Sequence, residues 1–140
     1  MKTVYKSIFL ILILSVMLLT CAGCDAITIT STTFGDNTTI EFNQATDGET
    51  AETASISFGK EKTFTIASEL ENGQVKIDVV QVTNMKIHVD DPDDFLYGDT
   101  IVSVTVGPGD SSEFTLPGNE YIYQITVIGD TTGKITIKAN

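Results

Sequence analysis

The chain has no tryptophan and no arginine, and it holds only two cysteines, one histidine and three prolines in 140 residues. Each shortage closes off a class of chemistry. Without arginine there is no planar fork for a bidentate grip on phosphate or carboxylate. Without tryptophan, any ring that stacks on a ligand must come from four tyrosines and seven phenylalanines. A structural zinc site takes about four ligands, and Cys21, Cys24 and the distant His88 are too few. Positive charge is scarce as well: eight lysines face 19 acidic residues, a formal net charge of −11. That imbalance repels phosphate backbones and argues against nucleic acid as a partner. No proline- or glycine-rich linker divides the chain, and no repeat is present beyond a general polar–apolar alternation.

What is there begins with MKTVYKSIFLILILSVMLLTCAGC. Lys2 and Lys6 precede an apolar run over residues 8–19, broken only by Ser15 and followed by small residues. A positive start, a short apolar stretch and small residues form the order of a secretory signal peptide. The run falls short of the roughly 20 residues that a spanning helix needs; an uncleaved N-terminal anchor is the alternative. The Cys-x-x-Cys pair closes this leader instead of lying near a βαβ pattern, which argues against a thioredoxin-like redox motif.

The segment Thr20-Cys21-Ala22-Gly23-Cys24 resembles the lipobox of bacterial lipoproteins, in which small residues stand before an obligatory cysteine. Cys24, preceded by Ala22 and Gly23, is the better match; Cys21 is preceded by Leu19 and the bulkier Thr20. One departure is that the third position before the cysteine, usually Leu in that family, is Cys21. The resemblance covers residues 1–24. It implies that residues 1–23 are a removed signal peptide and that Cys24 carries a diacylglyceryl group through a thioether. That lipid anchor would hold the protein at the extracytoplasmic face of the cell membrane, with no other cofactor. In a two-membrane envelope, Asp25 resembles the signal that retains lipoproteins in the inner membrane.

The 117 residues from Cys24 to the end (140 less 23) are enough for one domain with its own core. Six lysines against 19 acids leave it at −13. Residues 24–33 read as a tether or short first strand, with Ile27 and Ile29 alternating with threonine. Residues 34–140 read as strands: TTIEF (38–42), ASISF (54–58), KTFTIA (62–67), QVKIDVVQV (74–82), MKIHV (85–89), IVSVTV (101–106), EFTL (113–116), YIYQITVI (121–128) and GKITIKA (133–139). Period-two alternation in short β-branched runs is the signal of half-buried strands. Turn residues separate them at Gly35-Asp36-Asn37, Asp47-Gly48, Asn72-Gly73, Gly107-Pro108-Gly109-Asp110, Pro117-Gly118-Asn119 and residues 129–133. Ser68-Glu69-Leu70-Glu71 is the one stretch that could form a helical turn. The expected fold is a single all-β antiparallel sandwich of about nine strands, jelly-roll or immunoglobulin-like. The last strands, EFTLPGNEYIYQITVIGDTTGKITIKA, resemble the closing strands of small exported modules of the prepeptidase C-terminal and GOLD-like kinds. That resemblance implies the same sandwich architecture and carries no catalytic motif.

Chemistry-bearing residues are sparse. The acidic stretch around Asp90, Asp93, Asp94 and Asp99 is the candidate for Ca²⁺, a cation that prefers oxygen ligands, although its spacing is not that of an EF-hand. Its plainer reading is a solvated loop bent at Pro92. His88 alternates with Ile87 and Val89 and reads as a polar-face residue. No Gly-x-Ser-x-Gly elbow is present, and 19 acids make some carboxylate pair inevitable, so neither points to a hydrolase. Tyr97 and Phe95 are the rings available to a glycan, whereas Tyr121 and Tyr123 read as core or corner-packing residues. These readings favour a non-catalytic interaction or accessory module. A glycan- or Ca²⁺-binding module at the cell surface is the alternative, and a hydrolase the remote one. An exposed Tyr97 or Phe95 beside a shallow groove would favour the glycan reading.

Overall fold

A computed structural model describes residues 27–86 and 95–140. Among these residues there is no helix, and eight strands follow one another: β1 (Ile29–Phe34), β2 (Asn37–Ala45), β3 (Thr50–Glu52), β4 (Ile56–Phe58), β5 (Lys62–Lys86), β6 (Phe95–Val106), β7 (Ser111–Leu116) and β8 (Asn119–Ala139). Every pairing is antiparallel.

The architecture follows from two strands far longer than the usual 5–6 residues. β5 has 25 residues and β8 has 21. They pair along nearly their whole length, from Phe64 opposite Ala139 to Gln81 opposite Tyr121. Each runs through both layers of a sandwich. In the first layer, residues 64–70 of β5 lie between β7 and the end of β8, and that end pairs in turn with β2, which β1 flanks. In the second layer, β5 from Gln74 onward lies between β6 and the first half of β8, and β8 pairs there with β3 and β4. Two antiparallel layers so connected, β7-β5-β8-β2 with β1 at its edge and β6-β5-β8 with β3 and β4 end to end along β8, make a jelly roll.

The crossing from layer to layer happens inside the strands. Along β5 the buried positions are Phe64, Ile66, Ser68 and Leu70, and beyond the crossing Val75, Ile77 and Val79. The even-to-odd change coincides with register shifts between Leu70 and Gln74. Because side chains alternate with period two, the extra residue keeps the apolar face inward on both sides of the bend. Gly73 makes the bend at φ +75°, where a Cβ would sit 2.1 Å from the Thr131 hydroxyl and 2.5 Å from the Asp130 carbonyl oxygen. Gly133, at φ +130°, brings β8 so close to β5 that a Cβ would lie 2.5 Å from the Glu69 carbonyl oxygen. We call this the corner end; the turns β2–β3 and β6–β7 lie there too.

At the opposite, open end the layers are joined by residues 59–61 and 117–118, outside any strand. Aromatic side chains fill that end. Phe58 meets Phe64 and Tyr121 at centroid distances of 5.4 and 5.6 Å, and Phe64 stacks on Phe114 at 5.5 Å. Phe114, in the first layer, meets Tyr123, in the second, edge-on at 6.5 Å. The Tyr121 hydroxyl donates to the Pro117 carbonyl at 2.7 Å and ties the β7–β8 turn to the core. The buried Tyr123 hydroxyl has no hydrogen-bond partner among the described residues, and burial drives its pKa far up.

β1 enters at the corner end. Asn43 N–H donates to the Thr28 carbonyl at 2.8 Å, and the Thr28 hydroxyl donates to the Glu49 carboxylate. Glu49 also accepts from the Thr46 hydroxyl at 2.7 Å. These bonds, that from Thr28 foremost, hold the Glu49 carboxyl below its usual range.

Several expectations change at this level. Ser68 to Glu71 forms strand, not a helical turn, because alternate burial of Ser68 and Leu70 and a ladder to β8 outweigh local helix preference. Asn72-Gly73 and residues 129–133 are not chain reversals but the corners just described. Each long strand therefore merges runs that read as separate strands in the sequence. β3 has no strand signal in its sequence and forms by pairing with Gln124 to Thr126 of β8. Of MKIHV, Met85 and Lys86 close β5, and the remainder lies outside the described residues.

Candidate functional site

The outer face of the second layer should be polar, and for much of its length it is. Lys76, Asp78, Gln124 and Thr126 point outward between the inward Val75, Ile77, Val79, Ile125 and Val127. The pattern breaks at Val79-Val80, two adjacent apolar residues that are 1% and 3% exposed. Successive side chains on a strand face opposite ways, so Val80 belongs to the outer face. Opposite it in register stands Ile122, held between the inward Tyr121 and Tyr123. Val80, Val82 and Ile122 form an apolar cluster separate from the main core.

Tyr97 stands beside this cluster. β6 places it opposite Val82, and Tyr97 is 42% exposed. Its hydroxyl donates to Glu52 Oε2 at 2.8 Å. Glu52 Oε1 accepts from Gln124 Nε2 at 3.1 Å. β3 sets Glu52 directly opposite Gln124. The buried Thr53 then fixes the chain by donating its N–H to the Tyr123 carbonyl at 3.0 Å and accepting the Tyr123 N–H on its hydroxyl at 3.1 Å. The bond to Glu52, with lesser burial and charge effects, raises the Tyr97 pKa, so the phenol stays a donor at neutral pH. The result is a tyrosine–carboxylate–amide row whose members hold one another in place.

Tyr97, Val82, Ile122, Glu120, Ser55 and Glu52 line a pocket of about 210 Å³. Glu52 also borders a more open depression of about 540 Å³ that runs over Gln124, Thr126 and Asp78. Asp78 there accepts from the Ser103 hydroxyl at 2.6 Å and pairs with Lys76 at 3.1 Å. The two hollows share Glu52 and make a shallow groove with an apolar floor at one end and hydrogen-bonding groups along it. Such a surface can offer a face to a ring and hydrogen bonds to hydroxyl groups.

Of the residues singled out from the sequence, Tyr97 is in this groove. Phe95 opens β6, in register with Lys86. Asp99 is on β6 and exposed; Asp90, Asp93, Asp94 and His88 lie outside the described residues, as do Cys21 and Cys24. Among the described residues no group of three or more His, Cys, Asp or Glu side chains is placed to hold a metal ion. Sequence reading missed Glu52, Gln124, Val82 and Ile122. Two signals were present: the doubled valine at 79–80, and an isoleucine between two tyrosines that had to face away from them.

No protein-family model and no curated protein matches the chain. Solved structures resemble it at low identity. A protein of Bacillus endospore appendages, described as a novel family of disulfide-linked pili, is 18% identical over 82% of this chain and 91% of its own, at a TM-score of 0.44. A family 6 carbohydrate-binding module is 14% identical over 83% of this chain and 86% of its own, at 0.34. A cupin superfamily protein of Desulfitobacterium hafniense DCB-2 is 12% identical over 83% and 81%, at 0.34. These are resemblances of β-sandwich outline, and nothing about a ligand follows from them.

Proposed function

We propose that the chain is an extracytoplasmic lipoprotein, anchored through a diacylglyceryl group on Cys24, whose jelly roll is a non-catalytic module that binds a glycan. The carrying observation is the exposed Tyr97 ring beside a shallow groove, its hydroxyl committed to Glu52 and that carboxylate braced by Gln124. A sugar ring offers an apolar face for Tyr97, Val82 and Ile122, and hydroxyls for Glu52, Gln124 and Glu120. The domain charge of −13, six lysines against 19 acids, favours a neutral or amino sugar over a uronic acid or phosphorylated polymer. Two acyl chains on one cysteine suffice for stable anchoring, since each buried CH₂ contributes about 0.8 kcal/mol.

Affinity electrophoresis of residues 25–140 in gels containing neutral polysaccharides or soluble peptidoglycan fragments tests the ligand. The expected result is retardation in at least one gel, lost in Tyr97→Ala with the fold intact by circular dichroism. Retardation unaffected by Tyr97→Ala would refute the groove; none in any gel would refute the glycan. Fatty-acid labelling tests the anchor: Cys24→Ser should abolish incorporation and Cys21→Ser should not.

A further inference from the structure

The place where the chain enters the fold, together with a short leash, sets how the module stands on a membrane. This rests on the lipidation of Cys24 proposed above. Thr28 is fixed at the corner end by the Asn43 amide and the Glu49 carboxylate. Glu49 is itself bonded through its backbone carbonyl to Val127 N–H at 2.9 Å, which marks the same level on β8. From Cys24 to Thr28 there are four residue steps, so a fully extended leash reaches at most about 14 Å. The Tyr97 pocket lies further away than that. Along β8, Ile122 is five residues from Val127 and Glu120 seven, which is roughly 17 to 24 Å at about 3.4 Å per residue. With the Tyr97 pocket turned to the bilayer, Thr28 would stand beyond the reach of its own anchor. Lying flat is opposed by charge: at −13, the side of the domain would be pressed onto an anionic leaflet. Asp47, Glu69, Glu71 and Asp130 at the corner end meet the same repulsion, but there the leash leaves no choice.

We infer that the lipid anchor holds the corner end toward the bilayer and carries the Tyr97 groove on the side facing away, so that the module meets ligands outside the membrane and not in its headgroup layer. The glycan it serves would therefore belong to the envelope or the surroundings rather than to a glycolipid of the same leaflet.

A lipidated mature chain beginning at Cys24 has no other cysteine, so a single engineered thiol can be labelled cleanly. The full chain, expressed in a bacterial host and purified in detergent, would carry Asp130→Cys at the corner end or Lys60→Cys at the open end, each with the same fluorophore. After reconstitution into phosphatidylcholine–phosphatidylglycerol vesicles with headgroup-nitroxide lipid, the label at 130 should be quenched several-fold more than that at 60. Ten Gly/Ser residues inserted after Asp25 should bring the two values together. Equal or reversed quenching in a chain that mass spectrometry shows to be lipidated on Cys24 would overturn the orientation alone. A chain without the diacylglyceryl mass would overturn the lipoprotein reading and the orientation with it.

Discussion

The two ends of the sandwich solve one problem by different physics. At the corner end, β5 and β8 pass between layers without leaving the hydrogen-bonded ladder, which needs glycine at Gly73 and Gly133 where any side chain would strike backbone or Thr131. At the open end, the layers are bridged outside the strands and sealed by Phe58, Phe64, Phe114 and Tyr121. The corner end rests on two glycines that admit no side chain and the open end on an aromatic seal, although at the open end too a Cβ on Gly118 would lie 2.6 Å from the Gly59 carbonyl carbon.

The largest effect belongs to the open end. Phe64→Ala, at a position 0% exposed, should destabilise by about 4 kcal/mol, read by urea unfolding. A loss near 1 kcal/mol would show that the aromatic seal is not what closes that end. Next, Gly133→Ala should cost about 3 kcal/mol through its positive φ and its approach to Glu69 and Leu70. If it proves neutral, the corner is softer than the geometry states. Smaller and of opposite sign is the contrast between two tyrosines two residues apart. Tyr121→Phe gives up the bond to the Pro117 carbonyl and should cost about 1 kcal/mol. Tyr123→Phe removes a buried hydroxyl without a partner among the described residues and should gain about 1 kcal/mol. The smallest effect concerns acid. Glu49 has its folded-state pKa lowered, first by Thr28. Its contribution is thus present above the unfolded value and is lost as pH falls through the folded one. Glu49→Gln should therefore lower the neutral plateau slightly and flatten the acid limb, leaving stability below the folded pKa nearly unchanged; an unaltered profile would detach Glu49 from the entry of β1.

The all-β class, the antiparallel pairing and most strand positions were legible in the sequence, because inward and outward residues alternate wherever a strand stays in one layer. The corners were not. Asn72-Gly73 and the Gly129–Gly133 stretch have the composition of turns, and composition cannot distinguish a chain that reverses from one that bends and continues. That choice rests with the partner strand: β5 and β8 each supply the other's ladder across the bend. The groove was half legible. Tyr97 stood out as a ring in a polar setting, but Glu52 lies in Gly48-Glu49-Thr50-Ala51-Glu52-Thr53, which carries no strand signal, and only β8 turns it into a strand opposite Gln124. Aromatic residues at 121 and 123 read correctly as packing residues from their shared parity.

The way β1 joins the fold has a mechanical meaning. A pull arriving through the segment before Thr28 acts along the axis of β1, whereas its hydrogen bonds to β2 run across that axis. The paired positions from Ile29 opposite Phe42 to Phe34 opposite Asn37 are thus loaded together in shear instead of being peeled open one after another. Were the domain anchored through that segment as proposed above, this geometry would resist drag on a bound ligand.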